Sequence, residues 1–407
     1  MKCGLLGQKL GHSYSPQIHR KLADYEYSLY ERQPDELERF LKHGDFTGLN
    51  VTLPYKKSVL PFLDELSPTA ARLGAVNTIV RRTDGTLIGH NTDYFGFKSM
   101  VQRSGLSPKG KKVLVLGSGG ASNTAVAVLE ELAAQTIVIS RSGDNNYHNL
   151  YLHADAAIIV NATPVGMYPN VGASPVNLNL FPRLEGVLDI VYNPARTQLL
   201  LDAEKRGLVA INGLWMLVAQ AKESAEWFSG QSISDKQIAV IHRELKAQME
   251  NIILIGMPGS GKSTVGHHLA QRLNRRFVDA DTVIKETAGM PIPDIFAEQG
   301  ETAFRALETK VLSELGKQSG LVIATGGGCV TREENYNLLH QNGRIFCLNR
   351  ELSALPTHGR PLSQAIKLEE MYRIRKPLYD CFADHQIDNM ELNAAITQIQ
   401  NILEGNA

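Results

Sequence analysis

The stretch NIILIGMPGSGKST, Asn251 to Thr264, passes from apolar residues through glycines to a lysine and hydroxyls. Within it GMPGSGKS, Gly256 to Ser263, matches G-x-x-x-x-G-K-[ST] between an apolar run and an amphipathic stretch. That is the strand, loop and helix context a phosphate cradle needs. Gly256, Gly259, Ser260 and Gly261 can turn backbone N–H groups onto phosphate oxygens, helped by the positive end of the following helix. Lys262 reaches the β- and γ-phosphates of ATP, Ser263 can ligate Mg²⁺, and Thr264 adds a second hydroxyl at the helix start. The motif begins well past the middle of a 407-residue chain, so the upstream half needs its own explanation.

That length exceeds one typical hydrophobic core and predicts two to three domains. Hydrophobic residues at 43% and charged residues at 21% exclude a disordered chain. The formal net charge is zero, which argues against a nucleic-acid or membrane-surface partner. Cys3, Cys329, Cys347 and Cys381 show no metal-site spacing and read as reduced thiols of a cytoplasmic protein. The N-terminus lacks the apolar core of a signal peptide, and no run is long enough to span a bilayer.

Short apolar runs alternate with amphipathic stretches, the pattern of α/β folds with largely parallel sheets. Strands are expected at Lys2–Leu6, Leu49–Leu53, Lys112–Leu116, Thr136–Ser140, Ala157–Val160, Val187–Val191, Val209–Ile211 and Asn251–Ile255. Val76–Arg82 and Leu87–His90 flank TDGT and read as a hairpin. Leu214–Ser229 reads as a helix, and the main boundary is expected near Met249.

Downstream of the phosphate loop, FVDADTVI places Asp279 and Asp281 at the end of another strand. Acids there face the ligand crevice of an open α/β sheet, one for Mg²⁺ and one for an attacking hydroxyl. Arg305 stands at a helix start, Gly326 to Gly328 follow the apolar run Leu321–Ala324, and Arg360 and Arg375 lie further on. Guanidinium groups suit a small acceptor carrying a carboxylate. From Asn251 onward, through the phosphate loop, DAD, GETAFR, GGG and RPL…RKPLY, the chain resembles shikimate kinase. The resemblance implies Asp281, Arg305, Gly327, Gly328 and Arg375 around shikimate, Asp279 in the Mg²⁺ environment, and Arg360 on a lid reaching the transferring phosphate. The lid stretch LSALPTHGRPLS is short and lacks basic residues before that arginine.

In the first half, KKVLVLGSGGASNTAVAVLEEL combines strand, glycine turn and helix. Gly117, Gly119, Gly120 and Ala121 approximate the dinucleotide fingerprint. The next strand ends in Ser140, Arg141 and Ser142, where an NAD site would carry an acid; a guanidinium and hydroxyls suit the 2′-phosphate of NADP. Ser13, Ser15, Asn50, Thr52, Asn77, Asn91 and Thr92 are neutral hydrogen-bonders accompanied by Lys56 and Asp93. Such a set suits a polyhydroxylated anion and supplies a proton donor for a ketone becoming an alcohol.

The ordered motifs HSYSP, NVTLPYK, GAVNT, NTD, GSGGAS, NATPVGMYP, DIVYNPARTQLL and NGLWMLVAQ resemble shikimate dehydrogenase, from Lys2 to about Glu244. The resemblance implies Ser13, Ser15, Thr52, Asn77 and Gln220 on substrate, Lys56 with Asp93 as the catalytic pair, and Tyr192 nearby. It places Asn161, Ala162 and Thr163 beside NADP(H), and Gly213 and Met216 near the nicotinamide. The expected domains are a substrate domain from 1–94 and 213–245, a Rossmann-like NADP domain from 95–212, and a P-loop kinase domain from 250–407. Only SGDNNYHNLYLHADA follows Arg141 before the next strand, so the nucleotide domain is expected to be shortened. The two resemblances imply successive reactions in aromatic amino-acid biosynthesis, on 3-dehydroshikimate and then shikimate. The alternatives are one silent half, or a quinate dehydrogenase-like first half.

Overall fold

The computed structural model describes residues 1–11, 13–355 and 368–405. Arg360 lies outside them. The chain divides into two compact units, each αβ. The first comprises 1–167, 173–192 and 202–244; the second comprises 168–172, 193–201 and 245–407. The division falls after Glu244, inside the helix Lys236–Met249, rather than at that helix's end.

The first unit contains two sheets. Strands β1 (Lys2–Gly7), β2 (Glu26–Glu31), β3 (Gly48–Val51), β4 (Glu65–Leu66), β5 (Thr78–Arg81) and β6 (Leu87–His90) form one, in the order β2-β1-β3-β5-β6-β4. β5 and β6 pair antiparallel around the expected hairpin. There Asp84 Oδ1 accepts from Thr86 N at 2.9 Å and Gly85 takes φ +90°, which a side chain would resist. β2 has no counterpart among the expected strands; it lies at the sheet edge, and its half-exposed EYSLYE shows little apolar alternation.

The second sheet is wholly parallel: β7 (Lys112–Leu116), β8 (Gln135–Ile139), β9 (Ile158–Asn161), β10 (Gly186–Asp189) and β11 (Val209–Ile211), in the order β11-β10-β9-β7-β8. Between β8 and β9 there is a single 3-10 turn, Leu150–His153, where a longer Rossmann unit would add a helix and a strand. The helix Leu214–Ser229 crosses the helix Asp93–Ser104 closely: a Cβ on Gly96 would lie 2.8 Å from the Met216 carbonyl oxygen. Only glycine permits that approach.

The second unit holds β12 (Asn251–Ile255), β13 (Phe277–Asp279), β14 (Val322–Ala324), β15 (Gly343–Asn349) and β16 (His385–Asp388), all parallel, in the order β13-β14-β12-β15-β16. β12 is buried along its whole length because both faces are covered: Ile253 and Ile255 enter one core, Ile252 and Leu254 the other. This unit also includes Asn193–Leu201, where Ala195 N donates to Asn342 Oδ1 at 2.7 Å and Arg196 N to the Gln341 carbonyl at 2.8 Å. Among the described residues no helix is long and apolar enough to cross a membrane.

Candidate active sites

At the carboxyl end of β3 and the start of helix Asp93–Ser104, the Lys56 ammonium donates to Asp93 Oδ2 at 2.6 Å. Two constraints hold the pair. The Lys56 carbonyl accepts from Val76 N at 2.8 Å, and Asp93 opens its helix, where a carboxylate suits the dipole. Asn77 is buried, and its Oδ1 accepts from Thr92 N at 2.7 Å, immediately before Asp93. Behind these lies a polar network that the sequence reading did not assemble. Tyr27 donates to Asn50 Oδ1 at 2.7 Å, Asn50 Nδ2 to Thr78 Oγ1 at 3.3 Å, and Thr78 Oγ1 to Asn77 Oδ1 at 3.1 Å. The pairing of β3 with β5 sets Asn50 opposite Thr78, and Tyr27 reaches Asn50 from β2; their spacing along the chain does not show it.

Ser15 N donates to Ser13 Oγ at 3.2 Å, Thr52 N bonds the Leu6 carbonyl at 2.9 Å, and Tyr14 meets the ring of Tyr192 edge-on at 6.3 Å. Burial raises the Tyr192 phenol above its usual range. Gln220 donates to the Leu217 carbonyl at 2.8 Å on its own helix.

The residues expected beside the cofactor follow the carboxyl ends of β7, β8, β9 and β11. Gly117 has φ +106°, and Gly119 precedes the helix Gly120–Glu131, whose first N–H groups no side chain caps. Such an end attracts phosphate. Ser140 pairs with Asn146, curling the exposed Arg141 and Ser142 into a tight turn beyond β8. Asn161 is buried, with its Oδ1 accepting from Thr163 Oγ1 at 2.6 Å. Gly213 N bonds the Val191 carbonyl at 3.1 Å, while Met216 packs in the core beside Phe97 and Leu188.

In the second unit a cavity of about 500 Å³ is lined by the phosphate loop, Asp279, Asp281, Arg305, Gly326, Gly327, Gly328 and Arg375. Lys262 donates to the carbonyls of Gly256 and Met257, each at 3.0 Å, and Ser263 Oγ donates to Asp279 Oδ2 at 2.6 Å. Asp279 also caps the helix Ala280–Ala288, accepting from Asp281 N at 3.0 Å. Gly256 and Ser260 do not line the cavity: Ser260 is wholly buried and its carbonyl accepts from Asn389 Nδ2 at 2.6 Å. Asn389, far along the chain, thus ties down the loop, and a Cβ on Gly261 would lie 2.7 Å from its Nδ2.

The other wall is charged. Arg305 NH1 donates to Glu308 Oε2 at 2.7 Å, and its NH2 to Glu301 Oε1 at 3.3 Å. Glu308 is a site residue that the sequence reading missed, although its i+3 spacing from Arg305 on a helix was a usable signal. Burial raises the Glu308 carboxyl, outweighing the attraction of Arg305; burial and then the charge of Asp279 raise Asp281. The three glycines have distinct reasons. A Cβ on Gly326 would lie 2.7 Å from Glu308 Oε1 and 2.9 Å from Asp281 Oδ1; on Gly327, 2.7 Å from Pro258; on Gly328, 2.2 Å from Arg305 NH2. Arg375 NH1 donates to the Gly327 carbonyl at 3.2 Å. Among the described residues no His, Cys, Asp and Glu cluster forms a metal cage. A hydroxyl and a carboxylate beside phosphate are instead the donors that suit Mg²⁺.

Fold and sites define the class: an α/β dehydrogenase unit with one mixed and one parallel sheet, and a P-loop phosphotransferase unit. The family model for the shikimate dehydrogenase substrate binding domain matches residues 5–79, and that for shikimate kinase matches residues 258–404. A shikimate dehydrogenase (NADP(+)) of Clostridium perfringens is 36% identical over 267 residues, 60% of this chain and 98% of the relative. The crystal structure of shikimate dehydrogenase 1 from Peptoclostridium difficile is 38% identical, with a TM-score of 0.55, covering 60% of this chain and 97% of that one. A chorismate mutase/shikimate 5-dehydrogenase fusion protein from Clostridium acetobutylicum is 35% identical, with a TM-score of 0.58 and coverages of 60% and 97%. The chain belongs to the shikimate dehydrogenase family and carries a shikimate kinase domain after it, the composition of a bifunctional shikimate-pathway enzyme.

Proposed function

We propose that the first unit reduces 3-dehydroshikimate to shikimate with NADPH and that the second phosphorylates the hydroxyl so formed, using ATP and Mg²⁺, in the cytoplasm. The observation that carries this reading is that one chain retains both reactive pairs: Lys56 with Asp93, and Lys262 with Asp281 lining one cavity. In the first site NADPH supplies the hydride. Lys56 donates a proton to the oxygen that becomes the alcohol, and Asp93 holds its ammonium in place. Ser13, Ser15, Thr52, Asn77 and Gln220 bind the ring substituents, and Tyr192 closes one side. Gly117, Gly119, Gly120 and Ala121 approach the pyrophosphate with the Asn161–Thr163 turn beside them, Arg141 with Ser140 and Ser142 reads the 2′-phosphate, and Gly213 and Met216 flank the nicotinamide side.

In the second site ATP with Mg²⁺ supplies the phosphoryl group. Ser263 and Asp279 hold the metal side, and Lys262 turns from its loop carbonyls to the phosphate oxygens. Asp281 takes the proton of the acceptor hydroxyl. Arg305, set by Glu308, and Arg375 hold the acceptor's carboxylate. Positioning and charge stabilisation account for most of phosphoryl transfer, so these side chains are nearly the whole apparatus.

Assaying both reactions on the intact chain tests the proposal. NADPH oxidation should depend on 3-dehydroshikimate, and ATP consumption on shikimate. Absence of either activity from folded protein overturns the reading for that unit.

A further inference from the structure

β7, β9 and β10 end in register, Leu116 beside Asn161 and Asn161 beside Asp189. β8 and β9 extend the sheet on opposite sides of β7; the crevice at such a reversal is where an open parallel sheet takes its ligand. Asp189 is wholly buried at this level. One of its oxygens, Oδ1, accepts from Asn161 Nδ2 at 2.9 Å and from Val191 N at 3.0 Å.

Each bond leads to a different turn. Asn161 Oδ1 accepts from Thr163 N at 3.1 Å and from Thr163 Oγ1 at 2.6 Å, which sets the Ala162–Thr163 turn. That turn closes on Gly117: a Cβ there would lie 3.1 Å from the Ala162 oxygen. In the other direction the Val191 carbonyl accepts from Gly213 N at 3.1 Å. Gly213 sits so close that a Cβ would lie 2.0 Å from the Ile190 oxygen. Neither turn has slack, so a shift at Asp189 displaces both.

We infer that Asp189 is a positioning residue for the dinucleotide, acting through Asn161 on the pyrophosphate side and through Val191 on the nicotinamide side. The inference rests on the dehydrogenase reading above. A buried donor left without its acceptor is costly. Removing Asp189 therefore strips Val191 N of this acceptor and leaves Asn161 Nδ2 with its long 3.5 Å bond to the Val165 carbonyl.

NADPH binding to the intact chain, followed by nucleotide fluorescence, tests this in wild type, Asp189→Ala, Asp189→Asn, Asn161→Ala and the Asp189→Ala/Asn161→Ala double variant. Asp189→Ala should weaken binding about tenfold or more, and Asp189→Asn, which keeps one oxygen, by less than about threefold. The double variant should lose less than the product of the single losses, because the residues act in series. Unchanged NADPH binding in Asp189→Ala, or losses that multiply, overturns the inference. If Asp189→Ala fails to fold, Asp189→Ser carries the same expectation; failure of both assigns Asp189 to stability alone and overturns it too. Wild type that does not bind NADPH would instead sink the dehydrogenase reading.

Discussion

The Lys56 ammonium and the Asp93 carboxylate meet at 2.6 Å although 37 residues separate them in the chain. Both are partly exposed, with side-chain exposures of 29% and 15%, so the pair faces the site rather than serving as a core brace. Lys56→Ala should lower dehydrogenase turnover roughly 10²-fold or more, with kinase turnover unchanged. Turnover within a few-fold of wild type would remove Lys56 from the proton step.

Arg141 is exposed at the turn beyond β8, where nothing but Ser140 and Ser142 accompanies it in the expected 2′-phosphate set. Arg141→Ala should raise KM for NADPH and leave KM for NADH nearly unchanged. Steady-state kinetics with both cofactors decide it, equal effects being the contrary result.

Burial and the neighbouring Asp279 raise the Asp281 carboxyl. A base must be ionised, so kcat/KM for shikimate should rise with pH through a titration above the ordinary carboxylate range. Asp281→Asn should abolish turnover while leaving nucleotide binding largely intact. Stability runs the opposite way. A carboxyl whose folded pKa is raised binds protons more tightly folded than unfolded, so its contribution is present at low pH and lost as pH rises through the folded pKa. Glu308 is shifted in the same direction. Asp281→Asn should therefore gain melting temperature over wild type at neutral pH and less near pH 4, by calorimetry without ligands.

Gly328→Ala places a Cβ 2.2 Å from Arg305 NH2 and 2.3 Å from NH1. The obstacle is the end of a side chain, which can move; the fold should survive with a change in stability of about 1 kcal/mol. The guanidinium cannot move without losing its acceptor geometry. KM for shikimate should rise at least about tenfold while nucleotide binding stays within about twofold, a split that a folding defect would not produce.

A fragment from Gln248 onward retains all the cavity residues but lacks Ala195 and Arg196, whose N–H groups bond Asn342 and Gln341. It should phosphorylate shikimate and melt several degrees below the intact chain's second unit, since each lost bond contributes about 1 kcal/mol. Cooperative folding with nucleotide binding but no turnover would show that the acceptor is another small molecule or that the missing segments complete the site.

The phosphate loop, the glycine turn after β7 and the hairpin at Asp84 and Gly85 were legible in the sequence because their chemistry is local: a few adjacent residues set both backbone shape and ligand contacts. The paired halves of each site were legible only as separate motifs. β15, GRIFCLN, is not among the expected strands: Arg344 and Asn349 bound its apolar run, and it lacks the adjoining glycine loop that marks β12. Nor does the sequence show that Asn193–Leu201 belongs with the second unit. Glu308, Asn389 and Asp189 acquire their roles from what the fold places opposite them: a guanidinium, a loop carbonyl and a neighbouring strand end. Local spacing thus determined which chemistry the chain carries. Tertiary structure alone decided which buried polar groups hold that chemistry in place, because their partners are distant in the chain or follow from strand register, and burial away from water is what makes each bond necessary.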